Sequence, residues 1–83
     1  MIKEGTLYYD RSTERYDIVY PDGNYYGGLH CGNCFDIFLR DEWISVRIEA
    51  DNDGWYLCDF YNQDGEKFQG EKPPRLDGLS VRI

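Results

Sequence analysis

The run Trp43-Ile44-Ser45-Val46-Arg47-Ile48-Glu49 decides the fold. Ile44, Val46 and Ile48 fall on one side and Ser45, Arg47 and Glu49 on the other, the period of two that a half-buried strand requires. A slip of one residue would bury three polar side chains, so the register is well specified. On its N-terminal side, Arg40-Asp41-Glu42 is a short connection back to Cys34-Phe35-Asp36-Ile37-Phe38-Leu39, where Phe35, Ile37 and Leu39 share a face. On its C-terminal side, Asp51-Asn52-Asp53-Gly54 is a turn that returns the chain into Trp55-Tyr56-Leu57-Cys58-Asp59-Phe60. These segments predict three consecutive antiparallel strands.

The same alternation recurs at both ends. Thr6-Leu7-Tyr8-Tyr9 and Arg15-Tyr16-Asp17-Ile18-Val19-Tyr20 predict a hairpin, closed by Pro21-Asp22-Gly23-Asn24, in which Pro presets φ and Gly accepts a positive φ. Tyr25-Tyr26-Gly27-Gly28 reads as a short strand that bends at its glycines. Asn62-Gln63-Asp64-Gly65-Glu66-Lys67 is a polar turn, and Pro73-Pro74 belongs to a loop or an edge because neither residue can donate to a ladder. Leu79-Ser80-Val81-Arg82-Ile83 alternates again, and its pairing near the first strand would close a barrel. The expectation is one all-β domain over residues 1–83, a five- to six-stranded small antiparallel barrel of SH3-like or OB-like form. No helical period and no domain linker interrupts it.

The chain has 83 residues, with 9 Lys+Arg against 16 Asp+Glu and a net charge of −7. That balance lacks the basic footprint of a nucleic-acid or anionic-membrane binder, so any partner recognised by charge is a basic protein. Aromatic residues make up 17% of the chain, about twice the usual share, which supplies buriable area and argues against disorder. There is no apolar run of membrane-spanning length, and Met1-Ile2-Lys3-Glu4-Gly5 has no signal-peptide h-region. With three cysteines, an odd count, the chain is expected to be cytoplasmic and held together without disulfides.

His30-Cys31-Gly32-Asn33-Cys34 is the densest chemical cluster. A Cys-x-x-Cys turn can present two thiolates to zinc, and His30 or Cys58 could complete the set. A second ligand pair at similar spacing is missing, so Cys34 and Cys58 are read as small apolar strand residues and no metal or cofactor is expected. One histidine beside a cysteine, in a domain with little volume for a pocket, does not make an enzyme. Asp51-Asn52-Asp53-Gly54 lacks the spaced ligands and closing Glu of a calcium loop. Of the adjacent aromatic pairs, one member each must face outward, and Tyr8, Tyr26 and Trp55 are the expected anchors for a partner.

The run Leu29-His30-Cys31-Gly32-Asn33-Cys34-Phe35, then Trp43, Arg47-Ile48-Glu49, Trp55-Tyr56-Leu57 and the closing Leu76-Asp77-Gly78-Leu79-Ser80-Val81-Arg82-Ile83 resemble a domain family of unknown function. That family occurs in small proteins on mobile elements and phages of Gram-positive bacteria. The resemblance brings no catalytic residues. It implies the company of anti-restriction and anti-CRISPR inhibitors, small acidic proteins that occlude DNA-binding surfaces.

The expected function is therefore that of a small acidic binding protein, a nucleic-acid mimic that blocks the basic surface of a host-defence nuclease. Asp41, Glu42, Asp51, Asp53, Asp64 and Glu66 would form one negative ridge across neighbouring turns, in a monomer or weak dimer. The alternative is an SH3-like peptide-binding or assembly module that uses the exposed aromatic rings.

Overall fold

A computed structural model describes residues 2–83. It holds β1 (Glu4–Asp10), β2 (Arg15–Val19), β3 (Cys34–Leu39), β4 (Glu42–Asp51), β5 (Gly54–Tyr61) and β6 (Ser80–Arg82), with no helix among the described residues. All neighbours are antiparallel, in the order β2-β1-β6-β3-β4-β5. The hairpin β1–β2 and the meander β3–β4–β5 are thus separate halves, and the three-residue β6 joins them by pairing Val81 with both Gly5 and Ile37.

The C-terminal strand does pair with the first, as its alternation implied, but the sheet stays open, with β2 and β5 at its edges. Loops cover the β2 edge and the C-terminal end of the β5 edge instead. Tyr26 and Leu29 donate N–H bonds to the carbonyls of Ile18 and Tyr16 along β2, while Phe68 donates to Phe60 along β5. Covering an edge removes much of the need to close the ring, since it occupies the same free backbone groups. Tyr25-Tyr26 is accordingly no strand: only a single bridge links Tyr25 to Val19, after which Gly27 and Gly28 turn away at φ values of 113° and 97°.

The inner face carries Leu7, Ile18, Phe35, Ile37, Ile44, Val46, Ile48, Phe60 and Val81, and the loops add Leu29 and Phe68 to the same buried cluster. Six consecutive residues of β4 alternate between half-buried and buried from Trp43 to Ile48, the pattern that the sequence specifies. Gly5 faces this core at a point of close approach. A Cβ there would lie 2.7 Å from both Ile18 Cγ2 and the Val19 carbonyl oxygen.

One irregularity shapes the outer face. Between Arg47↔Cys58 and Ser45↔Tyr61, β5 has one residue more than β4, so Asp59 bulges at φ 55°. The bulge lets the Asp59 carboxylate meet Arg47 Nη1 at 2.6 Å. Arg47 Nε also lies 2.8 Å from Glu49 Oε2, off the N–H axis, so this second contact is one of charge rather than a hydrogen bond.

Candidate interaction surface

Four of the turns that hold acidic residues are built from Asp-Gly pairs, at 22–23, 53–54, 64–65 and 77–78, and each of these glycines has a positive φ. Such turns need a side-chain acceptor and a residue free to adopt that φ. Asp51 Oδ1 accepts the Asp53 N–H, Asn62 Oδ1 accepts those of Asp64 and Glu66, and Glu66 Oε1 takes a bond from Asn62 Nδ2. Part of the acidity is therefore turn chemistry.

The six acids do not make one ridge. Asp41 and Glu42 sit where β3 turns into β4, and the antiparallel return of β5 brings Asp64 and Glu66 back to that end. Glu42 and Glu66 line one shallow depression of about 500 Å³ together with Arg40 and Lys67. Asp51 and Asp53 lie at the opposite end of the ten-residue β4, roughly 30 Å away at a strand rise of about 3.3 Å per residue. A turn at each end of one strand cannot face the same way along the ridge.

The aromatic residues also sort differently from expectation. Trp55 faces inward, packs on the core and donates its indole N–H to the Glu14 carbonyl at 3.1 Å, tying β5 to the β1–β2 turn. Its ladder partner is Ala50, on the inner face, so its neighbour Tyr56 is the outward member of the pair. Trp55 is therefore the inward, half-buried member of its pair, not the outward one. Tyr26 is exposed, as expected. Tyr8 is outward but half-buried against Tyr25, with ring centroids 5.8 Å apart.

Sequence reasoning missed the cluster at the acidic end. Phe38 on β3 and Trp43 on β4 are ladder partners on the outer face, 5.0 Å between centroids, and Tyr61 stands beside Ser45 one row away. Phe38 and Tyr61 are each 41% exposed. Arg82 of β6 lays its guanidinium 4.5 Å over the Trp43 ring, bonds Asp36 Oδ2 at 2.8 Å and reaches Gln63 Oε1 at 3.2 Å. Gln63 in turn donates to the Trp43 carbonyl. The signal was present in the strand pattern, because Phe38 and Trp43 fall on the polar parity of their strands.

Among the described residues, no three His, Cys, Asp or Glu side chains converge as a metal site. Cys31 and Cys34 are exposed and Cys58 is half-buried, so Cys34 is not the buried apolar residue that its strand suggested. Cys34 and Cys58 flank Arg47 across the ladder and point outward, with their thiols toward the carbonyls of Gly32 and Arg47. His30 holds its loop through a bond from its backbone N–H to Asn33 Oδ1.

A family described as a domain of unknown function, DUF5348, matches residues 5–83. The chain belongs to that family. Among solved structures, the crystal structure of a Ruminococcus gnavus protein, a Northeast Structural Genomics Consortium target, is similar to this DUF5348 domain with a TM-score of 0.78 and 48% identity. The match covers 98% of this chain and 100% of that one. No curated protein matches. Among the described residues, no helix is long and apolar enough to cross a membrane.

Proposed function

We propose that this domain acts by binding a basic protein surface, with the Phe38–Trp43–Tyr61 end as its contact face and Asp41, Glu42, Asp64 and Glu66 as the charged rim. The observation that carries this reading is the placement of two exposed aromatic rings, Phe38 and Tyr61, around the half-buried Trp43 and beside four carboxylates at one end of a chain of net charge −7. The few residues that dominate interface energy are enriched in Trp, Tyr and Arg, while a rim of one charge steers encounter and rejects like-charged partners. The fitting partner is a Lys- and Arg-lined nucleic-acid-binding surface, such as that of a CRISPR nuclease, and the domain is then an inhibitor carried by a mobile element or phage. With four acids at one end and two at the other, the contact is compact and local, not a track along a duplex-length groove.

The test is competition. The domain is titrated into a complex of DNA with a purified CRISPR nuclease from a Gram-positive host, at low and high salt. Displacement that weakens with salt, and that is lost in a D41K/E42K/D64K variant with unchanged circular dichroism, is the expected result. Displacement that survives the three reversals would overturn the reading.

A further inference from the structure

On the half of the outer face remote from Trp43, an open groove of about 660 Å³ runs between β1–β2 and the 25–30 loop. Its walls include Tyr8, Tyr25, Asp10 and Asp17, with Gly27 and Gly28 as a backbone floor that carries no side chains. Tyr25 is 59% exposed and tilts 51° to the Tyr8 ring. Asp17 is only 7% exposed, a deep position for a carboxylate. Its Oδ1 accepts three backbone N–H bonds, from Ile18, Gly27 and Gly28, at 2.8 to 3.0 Å. The other oxygen accepts none of them. A buried carboxylate, a half-buried one and a pair of aromatic rings together form a recess with acidic and aromatic walls.

The protein already displays what such a set binds. Across the sheet, Arg82 stacks on Trp43 and pairs with Asp36, so one guanidinium is held by a ring face and a carboxylate. The Tyr8–Tyr25 groove repeats that chemistry with no guanidinium stacked on its rings among the described residues. Its own cation, Arg15, is directed toward the Leu29 carbonyl at 3.4 Å and forms no ion pair among the described residues. His30 lies at the margin. The Tyr8 phenol is held above its ordinary pKa, first by partial burial and then by Asp17, Asp10 and Tyr25, which fits a negative potential at the ring.

We propose that the Tyr8–Tyr25 groove is a second recognition site, which takes an arginine side chain from an extended segment of a partner protein. The guanidinium stacks on the tyrosine rings and meets the carboxylates of Asp10 and Asp17, while the glycine floor lets the peptide backbone approach closely. This site is independent of the Phe38–Trp43–Tyr61 end and stands or falls without it.

Amide chemical-shift mapping of the full chain against the peptide acetyl-Gly-Arg-Gly-amide tests it, with the lysine and citrulline peptides as comparisons. Shifts should centre on Tyr8, Tyr25, Gly27 and Gly28, strongest for arginine and weakest for the uncharged citrulline. Tyr25→Ala and Asp10→Asn should each weaken binding about two- to fivefold, whereas Phe38→Ala should leave it unchanged. Asp17 is left intact because it holds the loop. Equal shifts with citrulline, shifts confined to the Phe38–Trp43 end, or no shift at millimolar peptide would each overturn the proposal. Failure of the nuclease competition would leave it untouched.

Discussion

Leu39 pairs with Glu42 across a two-residue connection in which Arg40 and Asp41 both have positive φ, 48° and 64°. This is a type I′ hairpin turn made without Asn or Gly, the residues that adopt it at least cost. A side chain in the left-handed region costs roughly 1–2 kcal/mol, less for a short polar one such as Asp. Replacing Arg40-Asp41 by Asn-Gly should recover most of that for Arg40 and part for Asp41. The greater freedom of Gly in the unfolded chain subtracts several tenths, leaving a net gain of about 1 kcal/mol. The lost contact between Arg40 and Glu71 is 3.7 Å long with both side chains largely exposed, so its removal changes little. For a domain of this size the gain corresponds to a rise in Tm of about 4–8 °C, read by thermal unfolding followed by circular dichroism. An unchanged or lower Tm would refute the reasoning from turn strain. On the proposed function, the same variant should bind its partner more weakly because Asp41 is gone.

Gly5→Ala should destabilise by about 1–3 kcal/mol, since the new methyl meets the Val19 carbonyl and Ile18 at 2.7 Å and the hairpin must shift to admit it; urea unfolding measures this, and a change within experimental error would refute it. Trp55→Phe keeps most of the packing but leaves the Glu14 carbonyl without the indole N–H. A loss of about 0.5–1.5 kcal/mol is expected, with hydrogen exchange of the 11–14 turn speeding up. The carboxyl pKa values of Asp10 and Asp22 are held below the ordinary 3.8, Asp10 chiefly by its side-chain bond with Ser12 and Asp22 chiefly by the Asn24 backbone N–H. A depressed folded pKa gives stability that is present above the unfolded value and is lost as pH falls through the folded one. Unfolding midpoints measured from pH 5 downward should therefore drop below about pH 4, and the drop should shrink in a D10N/D22N double variant.

Strand parity was legible because it depends on nearest neighbours in the chain. The alternation of Ile44, Val46 and Ile48, and of Phe35, Ile37 and Leu39, needs only a pleat and an apolar face to be read, and the β3 limits at Cys34 and Leu39 follow directly. The turns were legible for the same reason, as Pro, Asp and Gly act on the backbone within a few residues. The candidate surface was less so. That Asp41 and Glu42 lie with Asp64 and Glu66 but not with Asp51 and Asp53 depends on the length of β4 and the return of β5.

By itself the sequence determined an acidic all-β domain, its strand faces and its tight turns, since each follows from local backbone chemistry and period-two burial. Only the tertiary structure decided that the sheet stays open, because the order β2-β1-β6-β3-β4-β5 depends on which distant backbone groups β6 and the 25–29 and 66–68 segments satisfy. It also decided which aromatic rings face water. Trp55 and Tyr56 are adjacent aromatic residues in the sequence, and register against Ala50 and Glu49 turns one to the core and the other to solvent.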